Sequence, residues 1–194
     1  MPAFIRENPA FGWFLIMQML ATGARMATPF FIIYVGRSMD LDGFTIGLLS
    51  FAFLGADTVA NLGWGYLGDR HGFRIVLIAS VAIWLAAIAT LAAVGTLPLL
   101  ALGFFGLGAA QSGYMMGTQT IVLEFGGRDD MPMRIAAATT AEATTATLGP
   151  LIGGVIAQQA GFHWVFGLSA TLLVAALALL IARVPEPRSS DLPR

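Results

Sequence analysis

Gly65-Tyr66-Leu67-Gly68-Asp69-Arg70-His71-Gly72-Phe73-Arg74 is the stretch that decides how this chain folds. It gathers Asp69, Arg70, His71 and Arg74 between two long apolar segments, Phe44–Leu67 and Ile75–Val94. Lipid does not tolerate charge at that density, so these residues form a turn at the water surface with a membrane-length segment on either side.

Composition sets the same solvent. The chain is 57% hydrophobic and 11% charged, with a mean hydropathy of +0.80, where soluble domains have roughly 45–50% apolar and about 25% charged residues. A chain of 194 residues cannot hide that much apolar surface from water. The net charge of −1 lacks the basic footprint of a nucleic-acid partner. Cysteine is absent, which excludes disulfides and thiolate metal sites.

Working outward from the turn, apolar runs fall at Phe11–Val35, Phe44–Leu67, Ile75–Val94, Pro98–Thr120, Ile135–Gln158 and Trp164–Ala182. Each is about 19–25 residues, enough for a helix to cross a hydrocarbon core of about 30 Å. Helices are required because backbone groups in lipid must be paired within the segment, and no strand-like alternation supports a closed barrel. The expectation is an all-α membrane protein: residues 1–194 as one bundle of six transmembrane helices, with 184–194 as a cytoplasmic tail.

Arginine placement gives the orientation. Arg6, Arg70, Arg74, Arg128, Arg134, Arg183, Arg188 and Arg194 collect on one side of the six spans, and Arg37, beside Asp40 and Asp42, lies on the other. The positive-inside rule puts both termini and the Arg70 turn in the cytoplasm, in a cytoplasmic (inner) membrane.

Polar residues mark some spans and not others. Gln18, Thr22 and Arg25 lie on one face of span 1. Span 2 has Ser50, Asp57 and Asn61; span 4 has Gln111, Tyr114 and Thr118; span 5 has Thr139, Glu142 and Thr145. Spans 3 and 6 carry no charge. The order polar, polar, apolar, repeated once, suits two inverted three-helix repeats whose third helices face lipid.

The turn Gly-x-Leu-Gly-Asp-Arg-x-Gly-x-Arg resembles the loop between the second and third helices of a six-helix half in the major facilitator superfamily. It departs at Phe73, where that family has a second basic residue. Gly149-Pro150-Leu151-Ile152-Gly153-Gly154 resembles the end of a fifth-helix motif of drug–proton antiporters, whose upstream glycines fall here on Ala136 and Thr145. Asn8-Pro9-Ala10-Phe11 resembles entry to a seventh helix, and Arg183-Val184-Pro185-Glu186-Pro187-Arg188 a family C-terminus, so the resemblance is to the C-terminal half. It implies a secondary transporter moving a small solute by alternating access, with or without a coupled proton, partnered by a second six-helix half or a homodimer. It implies a cytoplasmic gate at Gly65, Asp69, Arg70, Gly72 and Arg74, and no cofactor. The competing class is a non-transporting fragment or assembly partner with the same fold.

The substrate or coupling candidates are Gln18, Arg25, Asp57, Asn61, Gln111 and Glu142. A charge at mid-membrane costs at least about 2.5–3.5 kcal/mol, so Arg25, Asp57 and Glu142 each need a reason. Counted from the outer ends, Arg25 lies roughly 15 Å deep and Asp57 roughly 20 Å deep, which allows an Arg25–Asp57 pair. That pair is either a site or a structural tie between spans 1 and 2. Pro29 frees the Arg25 carbonyl for a ligand, water or side chain. Glu142 lies near the cytoplasmic end of span 5, close to water. Asp69 can cap the start of span 3, and Arg70 and Arg74 can meet lipid phosphates or carboxylates. Gly149, Pro150, Gly153 and Gly154 make a packing kink or an antiport device. No arrangement of an enzyme site is present.

Overall fold

The computed structural model describes residues 9–37, 39, 41–93, 96–125 and 130–185. Arg6, Asp40, Arg128, Arg188 and Arg194, and residues 186–194 of the expected tail, lie outside them. The described residues form six long helices: α1 (Pro9–Gly36), α2 (Gly43–His71), α3 (Phe73–Ala92), α4 (Leu97–Glu124), α5 (Met131–Gln159) and α6 (Phe162–Arg183).

All but α5 are long and apolar enough to cross a membrane. At 29 residues α5 has the length, but Thr139, Thr140, Glu142, Thr144, Thr145 and Thr147 dilute its apolar character. Much of that polarity is spent locally. Thr139, Thr145 and Thr147 each donate to the carbonyl four residues back, at 2.8–2.9 Å, which makes a hydroxyl tolerable away from water.

The first span is broken. Its helical pieces Pro9–Ala24 and Thr28–Gly36 are joined by a 3-10 turn at Arg25–Ala27. Pro29 has no N–H to give the Arg25 carbonyl, but the Thr28 amide takes that carbonyl instead. The expectation of a free Arg25 carbonyl is therefore corrected: the tighter turn satisfies it.

Each three-helix group exchanges its first member. α1 packs against α5 and α6, while α4 packs against α2 and α3, and α3 meets α6 behind them. The turns match as well. Gly72 (φ 86°) directly precedes α3, and Gly161 (φ 95°) directly precedes α6; among the described residues these are the positive-φ positions. Glycine adopts that conformation without the clash a Cβ would cause, so each helix reverses within one residue.

Small residues bring α4 onto its neighbours. A Cβ at Gly113 would sit 2.7 Å from the Trp64 ring and one at Gly117 2.7 Å from Leu77. At Gly108 it would run into the Phe53 backbone carbonyl, so α2 and α4 touch main chain to main chain. The uncovered faces of α3 (Ile75, Ala82, Ala86) and α6 (Val174, Ile181) are mainly apolar, and the exposed Thr171 hydroxyl of α6 is spent on the Gly167 carbonyl.

Candidate functional site

The helices α1, α2, α4 and α5 bring the membrane-level polar groups to one side of the bundle. Arg25 Nη1 lies 3.5 Å from Glu142 Oε1, both side chains about a quarter exposed (29% and 25%). Gln18 Nε2 donates to the other carboxylate oxygen, Oε2, at 3.2 Å. The expected Arg25–Asp57 pair does not form. Depth along a helix fixes height in the membrane and leaves the neighbour open, and the helix exchange sets α1 beside α5 while α2 sits on α4. Glu142, expected to rely on water, has instead two protein partners.

Below this pair is a hydrogen-bonded anchor. Tyr114 of α4, fully buried, lies hydroxyl to hydroxyl with Thr22 at 3.0 Å and donates to the Gln18 carbonyl at 3.1 Å. The Trp84 ring meets it edge to face at 5.8 Å. Ser169 of α6 donates to the Ala24 carbonyl at 2.6 Å, just before the 3-10 turn. These bonds hold the broken part of α1 from both sides, so Arg25 sits on a fixed backbone.

Two hollows flank the anchor. One, of about 230 Å³, is walled by Thr22, Arg25, Phe53, Trp84, Gln111 and Pro150. The other, of about 480 Å³, is a groove between α2 and α4 walled by Phe53, Asp57, Asn61, Gln111, Met115 and Met116. Phe53 and Gln111 line both, so the hollows adjoin. Asn61 Nδ2 donates to the Asp57 backbone carbonyl at 2.9 Å. Phe53, Trp84, Met115 and Met116 were not among the expected site residues, because an apolar side chain on an apolar span carries no signal of binding. Spacing could have found two of them: Phe53 lies four before Asp57, and Met115 four after Gln111.

At the end with the charged turn, α2 continues as helix through His71, and α3 starts from Gly72 without a side-chain cap. Asp69 therefore does not cap α3: it sits inside the last turn of α2, exposed, and its carboxylate has no hydrogen-bond partner among the described residues. Gly68 is covered by the Phe73 ring, whereas a Cβ at Gly65 would meet nothing within 4 Å. Arg70 lies over the Tyr66 ring at 4.8 Å. Arg74 is engaged within the chain, donating from Nε to the Val184 carbonyl (2.6 Å) and from Nη2 to the Ile181 carbonyl (2.9 Å). It caps the C-terminus of α6, where those carbonyls have no helical partner.

In α5, Gly149 and Gly153 face α1. A Cβ at Gly153 would lie 2.8 Å from the Phe30 ring, and one at Gly149 3.5 Å from Met26. Gly154 is looser, 3.8 Å from Phe30, and Pro150 lines the smaller hollow. Among the described residues, no three acidic, His or Cys side chains come together to hold a metal.

The family model of the Major Facilitator Superfamily matches residues 14–194. The chain belongs to that superfamily. It is 29% identical over 150 residues to Protein spinster homolog 3 of Mus musculus, covering 74% of this chain and 29% of the relative. It is 30% identical over 154 residues to the Sphingosine-1-phosphate transporter SPNS2 of Danio rerio (76% and 30%). It is 28% identical over 175 residues to the Multi-drug resistance efflux pump PmrA homolog of Lactococcus lactis (83% and 40%). The chain spans about a third of the length of these relatives. A multi-pass membrane protein of a transporter family, rather than an enzyme, is the reading that fold and family share.

Proposed function

We propose that this unit is one six-helix half of a secondary transporter, moving a small solute by alternating access against a second six-helix unit. The observation that carries the reading is the division of its surface. Arg25, Asp57, Gln111 and Glu142 all lie on α1, α2, α4 and α5, while the exposed positions along the middle of α3 and α6 carry no charge and, Thr171 apart, are apolar. A polar wall at membrane depth needs water or a facing wall, and a second unit enclosing a central cavity supplies both.

In this arrangement both termini and the α2–α3 turn are cytoplasmic, and Gly65 and Asp69 close against the second unit when the cavity opens outward. The open space at Gly65 and the exposed Asp69 carboxylate support that role. Arg25, Glu142 and Asp57 are the groups for solute and any coupled proton. The names of the relatives, a sphingosine-1-phosphate transporter and a multi-drug efflux pump, support an amphiphilic solute.

Reconstitution tests the reading. In proteoliposomes offered radiolabelled amines, sugars and phospholipids, saturable gradient-driven uptake should require a second six-helix unit, a separate half or another copy, crosslinkable to this one. Saturable uptake by a crosslink-free monomer contradicts the half-transporter reading, and no flux with the matching half present contradicts transport itself.

A further inference from the structure

Among the described residues three charges, Arg25, Asp57 and Glu142, lie well inside the helices at membrane depth, and two of them satisfy each other. Arg25 and Glu142 pair, and Gln18 holds the remaining carboxylate oxygen. Asp57 is left over. It is the middle residue of the 29-residue α2, roughly 20 Å along the helix from either end. It is half-buried, and its carboxylate has no ion-pair or hydrogen-bond partner among the described residues. A carboxylate so placed favours whatever positive charge can reach it.

The groove around it narrows the class of cation. Asn61 spends an amide N–H on the Asp57 backbone carbonyl, and the Ser112 hydroxyl is donated to the Ala109 carbonyl at 3.1 Å. The Asn61 and Ser112 oxygens can still accept, beside a second Asn61 N–H, and together with the Asp57 carboxylate they suit a ligand with several N–H donors such as an ammonium group. The rest of the wall is soft and apolar. Phe53 presents an aromatic ring, and Met115 and Met116 present thioethers that adapt to different shapes. Past Phe53 and Gln111 the groove meets the smaller hollow, where Met26, Trp84 and Leu107 extend the apolar surface. An anion fits less well, because Arg25, the cation lining the adjoining hollow, is already paired.

We propose that the α2–α4 groove binds a lipophilic amine, its ammonium on Asp57 and its apolar body running past Phe53 toward Trp84. This deepens the transport reading, on which it rests for its consequence, by naming the solute class.

The test is direct binding of tritiated dodecylamine to the purified chain in nanodiscs of neutral phosphatidylcholine, measured against empty discs. Saturable binding is expected, competed by unlabelled amine and not by dodecanol. One lost ion pair should weaken it about tenfold or more in Asp57→Asn, with Asp57→Glu keeping most of the affinity. Wild-type affinity in Asp57→Asn, or equal competition by dodecanol, overturns the proposal. Should Asp57→Asn fail to fold, Met116→Cys in the otherwise unaltered chain gives a second readout. Its alkylation by a maleimide should slow with dodecylamine and not with dodecanol, and no slowing overturns the proposal. Amine binding without flux in the assembled protein leaves this inference standing and removes the transport reading. Flux of another solute without amine binding does the reverse.

Discussion

The Arg25 guanidinium of α1 lies 3.5 Å from the Glu142 carboxylate of α5, while Asp57, the third charge at that level, stands apart on α2. The helix exchange produces this division: α1 belongs with α5 and α6, and α2 with α3 and α4. The pair ties one helix to another inside the first group, and the lone carboxylate faces the groove of the second.

Removing one partner of the pair should cost more than removing both. Glu142→Gln leaves a cation without its counter-charge, whereas Arg25→Gln with Glu142→Gln leaves neutral groups able to hydrogen-bond. Thermal unfolding in detergent should give a coupling energy of about 1 kcal/mol for this pair, within the range for contacting residues. The cycle on Arg25 and Asp57 should be additive to within about 0.5 kcal/mol. Coupling in the second cycle and none in the first would contradict the packing of α1.

Arg74→Ala should unseat the end of α6. It removes the donors to the Val184 and Ile181 carbonyls, and bonds made by a charged group contribute about 1.5–3 kcal/mol. Amide exchange near residues 180–184 should accelerate and the melting temperature should fall. Arg74→Lys should recover only part, since a point charge cannot reproduce the two-pronged donor.

The glycines of α5 and α2 should separate by readout. Gly153→Ala meets the Phe30 ring at 2.8 Å and should cost about 1–3 kcal/mol of stability. A Cβ at Gly65 meets nothing within 4 Å, so Gly65→Leu should leave the melting temperature of the isolated unit unchanged, while slowing transport by the assembled protein. A Gly65→Leu variant that is unstable yet transports normally when folded would remove the gate role.

Asp42 should titrate below its ordinary value of 3.8. The Thr45 hydroxyl, and then the Thr45 amide at 2.8 Å, hold its carboxylate ionised as the N-cap of α2. A depressed folded-state pKa means this support is present above the unfolded value and is lost as pH falls through the folded one. NMR titration of the Asp42 carboxyl should give a midpoint under 3.8, with the Thr45 amide losing protection as the pH drops through it.

The orientation we propose rests on the arginine asymmetry and can be read by cysteine labelling, since the sequence has no cysteine. Arg70→Cys, exposed at the end of α2, should react with an impermeant maleimide only from the cytoplasmic side. Gly43→Cys, with open space around it, should react only from outside. Gly68 is a poor reporter because Phe73 covers it.

What the sequence made legible was mostly what depends on one segment at a time. Hydropathy located the spans, and the charged turn located the α2–α3 reversal, because lipid judges each segment separately. Partnership between segments was hidden. Arg25 and Asp57 have matching depths, yet the exchange of α1 and α4 gave Arg25 to Glu142, and no spacing within one helix encodes that exchange. Asp69 looked like a cap because the turn was expected to begin before it; α2 instead stays helical to His71, and Gly72 alone makes the reversal. The equivalent turn at Gly161 shows no charge in sequence and went unread. The apolar lining at Phe53 and Trp84 was silent for the same reason that it suits a membrane.

Two-sided accessibility of Met115 tests the central claim most directly. Met115 lines the α2–α4 groove beside Gln111, at the level where a central cavity must open first to one side and then to the other. With Met115→Cys in right-side-out and inside-out vesicles of the native membrane, an impermeant thiol reagent should modify it from both sides in the full protein. Modification from neither side, or from one side under every condition, would contradict alternating access across this wall.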